Sequence, residues 1–74
     1  MKAEFAYRIH DKKGNATGGY IRVFLDIKEY DEEYNDTHTK LLPLVAKKYG
    51  IDKSYLQSIS LEEYYTEMPY EKGV

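Results

Sequence analysis

The sequence has no cysteine, no tryptophan and no long apolar run. Because there is no thiol, neither a disulfide framework nor a thiolate zinc site is available, and packing, hydrogen bonds or a partner chain must stabilise the fold. The missing cysteine also favours a cytoplasmic location. Apolar runs such as Val23–Leu25 are far too short to span a bilayer, and no signal peptide is expected at the N-terminus.

The composition that remains fits one small domain over residues 1–74, with residues 69–74 as a loose tail. The chain has 74 residues, of which 42% are hydrophobic and 32% are charged. A chain this short buries only about 60% of the surface that its unfolded form exposes, so it has room for a single core.

Charge is unevenly distributed along the chain, although the formal net charge is only −2. Residues 26–36, here called the acidic segment, hold six acidic residues against Lys28 alone, which gives a net charge of −5. Clustered charge of this kind can repel nucleic acid, pair with a basic protein surface or imitate a phosphate backbone. A solvated acidic linker is the simpler interpretation of the same residues.

Tyrosine is the most unusual feature of the composition, with nine residues in 74. Its apolar ring and its hydroxyl group suit both half-buried positions in a small core and the centres of binding surfaces. We expect some tyrosines in each role.

Two alternating segments predict an antiparallel hairpin, with strands over Lys2–His10 and Tyr20–Lys28 and a glycine-containing loop over Asp11–Gly19. The inward side chains are Ala3, Phe5, Tyr7 and Ile9 on the first strand and Ile21, Val23, Leu25 and Ile27 on the second. Pairing Arg8 with Arg22 would oppose like charges. The expected register therefore places Glu4 opposite Lys28 and Arg8 opposite Phe24.

A central helix is expected after the acidic segment, from about Thr39 to Tyr49, because Pro43 is tolerated only in a first turn. Gly50 ends this helix, and its cap is one of Asp36, Thr37 and Thr39. Residues 53–61 are compatible either with a strand or with a short helix capped by Asp52. A final short helix begins at Ser60 and ends at Pro69.

The fold class predicted from these elements is α+β, a hairpin packed on one central helix and followed by a short strand or helix and a final short helix. The side chains expected in its single core are Phe5, Tyr7, Ile9, Val23, Leu25, Leu41, Val45 and Ile59.

Residues suited to catalysis or metal binding are few. Of the two histidines, His10 adjoins Asp11 and His38 lies two residues after Asp36, and they would form a carboxylate–imidazole site only if the fold joined them. No serine lies in a glycine elbow, and no phosphate-loop spacing is present. We therefore expect no enzyme activity, no catalytic residue, no metal and no cofactor. A small-molecule site in the glycine-rich loop, residues 14–19, stays an open alternative.

The segment Leu42–Ile59 resembles a helix-turn-helix, with Ala46 at the close helix crossing and Gly50 at the turn. Its buried positions would be Val45, Tyr49, Ile51, Leu56 and Ile59. The resemblance implies a second helix in the major groove of DNA, with Lys53, Ser54, Tyr55, Gln57 and Ser58 in contact with bases or phosphates. Pro43 inside the first helix and the acidic charge of the chain depart from that family.

The favoured function is a small non-enzymatic binding protein that occupies a partner's surface, and the alternative is a helix-turn-helix-like DNA-binding transcriptional regulator. In size and composition the chain is similar to small phage or mobile-element inhibitors, including anti-CRISPR proteins. The acidic segment would dock on a basic groove of a protein partner, such as a nucleic-acid-binding enzyme. The predicted contacts are Asp26, Glu29, Tyr30, Asp31, Glu32, Glu33, Tyr34 and Asp36, with the two tyrosines as apolar anchors.

The outer face of the hairpin predicts self-association. Its side chains Arg8, Tyr20, Arg22 and Phe24 mix cations with rings, as single-stranded nucleic-acid platforms do, but direct nucleic-acid binding is the less favoured interpretation. An exposed apolar strand more often pairs with another chain. We therefore expect a homodimer with Tyr20, Arg22 and Phe24 at its interface.

Overall fold

An antiparallel sheet of three strands, in the order β2-β1-β3, organises the part of the chain that the structure describes. This computed structural model describes residues 2–28 and 31–72, apart from the side chains of residues 31, 32 and 72. The elements are β1 (Lys2–His10), β2 (Ala16–Asp26), α1 (Asp31–Lys48), a 3-10 turn (Lys53–Tyr55), β3 (Leu56–Ile59), α2 (Leu61–Glu67) and α3 (Pro69–Lys72). The predicted α+β fold class is confirmed.

Both faces of β1 are covered. The odd-numbered side chains point into a cluster against α1, here called the α1 cluster, whose buried members are Ala3, Phe5, Tyr7, Ile21, Ile27, Val45, Ala46 and Leu56. On the opposite face Ala6 packs with Ile59 and Tyr64 in a second cluster, here called the α2 cluster. Ala6 lies on the face opposite the inward side chains predicted for the first strand, yet it is buried, because its small side chain lets α2 approach the sheet.

The predicted core is correct for Phe5, Tyr7 and Val45, which are buried, and Ile9, Val23 and Leu41 pack against them partly buried. Two assignments are wrong. Ile59 belongs to the α2 cluster, because the odd spacing from Leu56 turns it to the other face of β3. Leu25 is 43% exposed, because it lies near the end of an edge strand.

The hairpin register differs from the predicted one. Lys2 pairs with Asp26, Glu4 with Phe24 and Arg8 with Tyr20, so β2 is shifted in the direction opposite to the expected slide. The reason is a shorter loop: β2 begins at Ala16, and a bulge lies between Ile9 and His10. The observed register still obeys the charge rule, because Lys2 and Asp26 carry opposite charges.

The side chain of Asp11 stabilises the hairpin loop. One carboxylate oxygen of Asp11 accepts hydrogen bonds from the backbone amides of Asn15 and Lys13, both at 2.9 Å. These bonds, that of Asn15 first, lower the pKa of Asp11.

Helix α1 begins at Asp31, about two turns earlier than predicted, so the acidic segment forms its first turns. Carboxylates are favourable at a helix N-terminus, and Glu33 accepts a hydrogen bond of 2.8 Å from the backbone amide of Lys28. Pro43 therefore lies in the middle of the helix, where it removes one backbone hydrogen bond. Packing of Leu41 and Val45 on the sheet offsets that loss.

The end of α1 is confirmed at Gly50. Its φ of +68° is in the left-handed region that favours glycine. The amide of Ile51 donates to the carbonyl of Ala46 at 2.9 Å, and the amide of Gly50 donates to that of Lys47 at 3.2 Å. This paired pattern satisfies carbonyl groups that the helix leaves unpaired.

The sequence of residues 53–61 is compatible with a strand or with a short helix, and the structure shows a strand there. Asp52 caps only the 3-10 turn, and Leu56–Ile59 then pairs with β1. The predicted α2 is confirmed, with Ser60 as its N-cap and its end before Pro69. The expected loose tail is wrong for residues 69–72, which form α3, while residues 73–74 lie outside the described residues.

No helix within the described ranges is long and apolar enough to cross a membrane.

A matched pair of substitutions tests this assignment of the core. Leu56→Ala should lower the free energy of unfolding by about 2 to 4 kcal/mol, because it leaves a cavity in the α1 cluster. Leu25→Ala should cost less than about 1 kcal/mol, because Leu25 is already partly in water. Urea denaturation at low protein concentration measures both. Equal losses at the two sites would contradict the exposed position of Leu25.

Candidate binding surfaces

The acidic segment is largely an ordered helix terminus rather than a solvated linker. Asp26 is exposed at the end of β2, and Asp36 is exposed on α1, where it pairs with Lys40 at 2.9 Å. Asp31 and Glu32 contribute backbone to the first turn of α1. The predicted contacts Glu29 and Tyr30 lie outside the described residues.

Tyr34 does not serve as an exposed anchor. Its ring stacks on that of Phe5, with centroids 4.5 Å apart, and its hydroxyl donates to the backbone carbonyl of Glu4. The structure therefore does not present Tyr34 as an exposed anchor: it falls on the helix face that packs against β1, four residues before His38.

Tyr34 and His38 lie one turn apart on α1 and bind alternate carbonyls of β1. His38 Nε2 is 2.8 Å from the carbonyl oxygen of Ala6 and must carry a proton, because a carbonyl oxygen only accepts. The Tyr7 hydroxyl donates to the backbone carbonyl of His38 at 2.9 Å. Burial raises the pKa of Tyr7 above its ordinary value. These bonds fasten α1 to the central strand.

The two histidines are not brought together. His38 is engaged with β1, whereas His10 lies at the hairpin loop, with its Nδ1 2.9 Å from the carbonyl oxygen of Asp11. Among the described residues no group of three or more histidine, aspartate or glutamate side chains could hold a metal ion.

A cleft of about 450 Å³ opens between the first half of α1 and the end of β3. Its lining comprises Tyr34, Asn35, His38, Ser58, Ile59, Ser60 and Leu61. Tyr34 and His38 already bond the sheet, and the Ser60 hydroxyl accepts the Glu63 amide as the cap of α2. These hydrogen-bonded side chains stabilise the fold, and they do not form the paired nucleophile and base of a catalytic site.

The opposite face of the sheet carries a hydrogen-bonded network centred on Arg22. Its guanidinium donates to the Tyr65 hydroxyl at 2.7 Å and lies 3.3 Å from the Glu71 carboxylate. Glu71 also accepts from the Tyr64 hydroxyl at 2.7 Å, and Tyr65 donates to the side chain of Glu4. The short helices α2 and α3 are thereby tied to β1 and β2.

Two of the three residues predicted at a dimer interface make contacts within the subunit instead. Arg22 is engaged with α2 and α3, and Tyr20 is half-buried, with its ring 6.2 Å from that of Tyr64. Phe24 remains 47% exposed, with the charged ends of Lys2 and Arg22 5.5 and 4.9 Å from its ring centre. The hairpin therefore does not present the open nucleic-acid platform suggested by its sequence.

The segment Leu42–Ile59 is not a helix-turn-helix. The positions expected on a recognition helix are divided between the 3-10 turn and β3. Gln57, for example, lies on β3 and accepts a hydrogen bond from Arg8. No described element in this segment can enter a major groove as a second helix.

The glycine-rich hairpin loop uses its amides internally. The amides of Lys13 and Asn15 donate to the Asp11 side chain, and that of Gly14 donates to the Asp11 carbonyl at 3.0 Å. A phosphate cradle needs such amides free to point at a ligand. The loop geometry accordingly favours a hairpin connection over a small-molecule site.

An apolar groove at the β2 edge is a surface that the sequence analysis missed. It has a volume of about 170 Å³ and is lined by Val23, Phe24, Leu25, Leu41, Leu44, Val45 and Lys48. Leu44 is 64% exposed there, beside Leu25 and Phe24. The available signal is Leu44, an apolar residue of α1 that remains exposed while Leu41, Leu42 and Val45 pack on the core.

Comparisons of the chain with protein families, with curated proteins and with solved structures find no match.

The tyrosines of the second face predict sensitivity to alkali. Burial, and then the hydrogen bond to Glu71, raise the pKa of Tyr64 from 10.0 to about 12. Stability contributed by the neutral hydroxyl is fully present below pH 10 and is lost as the pH rises towards 12.

Urea unfolding across this pH range should therefore show a falling free energy of unfolding, and Tyr64→Phe should make the fall less steep. Tyr70→Phe is the matched control, because Tyr70 is 92% exposed. The same slope in the parent and in Tyr64→Phe would show that Tyr64 titrates normally.

Proposed function

We propose that this chain is a small non-enzymatic binding protein that docks the acidic start of α1 on a basic surface of a macromolecular partner, and that it does so in the cytoplasm. The observation that supports the proposal is the ordering of residues 31–36 as the first turns of α1. Charges fixed on a helix lose less conformational entropy on binding than charges on a loose linker.

The electrostatics of this end favour a cationic partner. A helix N-terminus carries the equivalent of roughly half a positive charge, which is far too little to neutralise the acidic segment. Asp36 keeps 63% of its side chain exposed while it pairs with Lys40, and because such exposed pairs contribute little free energy, a cationic partner can compete with Lys40 for the carboxylate. The acidic end can therefore steer a basic partner during approach.

Some of the predicted contact residues stabilise α1, and others are available to a partner. Glu33 holds the amide of Lys28, and Tyr34 packs on Phe5, so both support the helix rather than the partner. Asp36 is open to solvent, and Glu32 stands one turn before it in the sequence of α1. Binding dominated by such rim charges acts mainly on the association rate.

A basic groove that normally holds nucleic acid fits this chemistry, since carboxylates in a row imitate a phosphate backbone. Proteins that act this way include the small phage and mobile-element inhibitors that the chain is similar to in size and composition. The DNA-binding regulator is disfavoured, because β3 occupies the place of the recognition helix that it requires.

The test compares two charge reversals that change net charge equally. Asp36→Lys should reduce the association rate with the partner by about threefold or more at low salt, and raising the salt should weaken binding of the parent protein. Glu67→Lys, exposed at the last turn of α2, should leave association nearly unchanged.

The partner for these rates is obtained by affinity capture from the native host with the parent and both variants, followed by mass spectrometry. A nucleic-acid-binding protein retained by the parent and by Glu67→Lys, but weakened by Asp36→Lys, supports the proposal. A partner that binds all three proteins equally contradicts it. Circular dichroism confirms that Asp36→Lys keeps its helix.

A further inference from the structure

The β2 edge combines two features that require a covering surface. Phe24, Leu25 and Leu44 are three of the five large apolar residues that the described chain leaves exposed, and all three line the same groove. Strand β2 is eleven residues long and has β1 on one side only. Long exposed edges with apolar side chains are sites of strand pairing.

A second copy of this chain fits the edge. An antiparallel pair of β2 strands related by a two-fold axis perpendicular to the sheet keeps both α1 helices on the same face. The β2 residue that lies at the two-fold axis then fixes the register of the pair, and the charges on β2 distinguish between the possible registers. An axis at Arg22 would oppose two guanidinium groups, which is unfavourable.

We propose that the protein dimerises through antiparallel pairing of its β2 edges, with Phe24 opposite the partner subunit's Phe24. In this register Arg22 lies opposite the partner's Asp26, and the reciprocal pair forms on the other side of the axis. Arg22 already contacts Tyr65 and Glu71, but a guanidinium group has five N–H donors and can take a further acceptor.

The rows of side chains across the six-stranded sheet support this register. On the α1 face one row reads Phe5 and Val23 followed by the partner's Leu25 and the partner's Ala3, so that it is apolar throughout. On the other face Lys2 and Asp26 are followed by the partner's Arg22, which places the carboxylate between two cations. A two-fold axis at Val23 would instead leave Asp26 opposite the partner's Tyr20.

Helix α1 completes the interface without involving the acidic end. Leu44 and Lys48, near its C-terminus, line the groove at the β2 edge. Tyr34 and Asn35, near its N-terminus, line the cleft beside β3. The dimer therefore leaves Asp36 accessible, and failure of the dimer and failure of the acidic docking can be observed separately.

Sedimentation equilibrium from micromolar to millimolar concentration tests the occupant of the groove. The parent protein should reach twice its mass of 8.7 kDa, and Leu44→Lys should shift it to the monomer. Tyr70→Lys, an equally polar change at a residue that does not line the groove, should remain dimeric. A parent that stays monomeric throughout overturns the proposal, and so does a dimer that Leu44→Lys leaves intact.

Single cysteines test the register, because the natural chain has none. Directly opposite residues of an antiparallel pair have Cα atoms about 4.5 to 5.5 Å apart, which suits a disulfide. Phe24→Cys should therefore give a disulfide-linked dimer under mild oxidation, and Val23→Cys should give much less. Preferential linkage at position 23 would overturn this pairing, since it places the axis at Val23.

Discussion

Both faces of the central strand β1 must be shielded from water, and the rest of the fold depends on that constraint. Phe5 and Tyr7 are buried towards α1, while Ala6 between them is buried towards α2. A single helix cannot cover two faces of a sheet, so the short C-terminal elements are part of the core. In a chain of 74 residues this arrangement spreads a limited apolar content over two small clusters rather than one.

Polar groups hold the two layers in place where apolar area is scarce. Tyr34 and His38 bond alternate carbonyls of β1, a match between the helical turn and the two-residue repeat of a strand. On the other face Arg22 joins β2 to Tyr65 and Glu71. Each such bond contributes on the order of 1 kcal/mol, and total stabilities of small domains are only several times larger. This accounts for much of the high tyrosine content without invoking a binding surface.

How far the sequence predicts this structure depends on whether local or long-range interactions decide each feature. The alternation of β1, the end of α1 at Gly50 and the cap of α2 at Ser60 are local, and all three are found. The burial of Ala6 and the exposure of Leu25 depend on which element lands on the sheet and where an edge falls. No pattern within either strand reports that.

The start of α1 and the candidate site show the same division. Pro43 argues locally for a helix that starts near Thr39, but the contacts of Tyr34 and His38 with β1 outweigh one missing backbone bond. The cluster of negative charge is visible in composition alone, whereas its display on a helix is not. The sequence suggests Tyr34 as an anchor because a tyrosine in an acidic run has no local signal of the direction of its side chain. Its stacking on Phe5 becomes visible only once α1 lies across β1.

The direction in which α1 crosses the sheet separates the two proposed surfaces. Its acidic start lies beside β3, and its Leu44 end lies over the edge of β2. Pairing of two β2 edges would therefore place the acidic helix starts of the two subunits on opposite outer sides of a six-stranded sheet. Like charges kept apart in this way oppose dimerisation little, because exposed charges separated by more than about 10 Å are screened at 0.1 M salt. Two acidic ends on one rigid body would also let a partner with two basic sites gain avidity that neither end supplies alone.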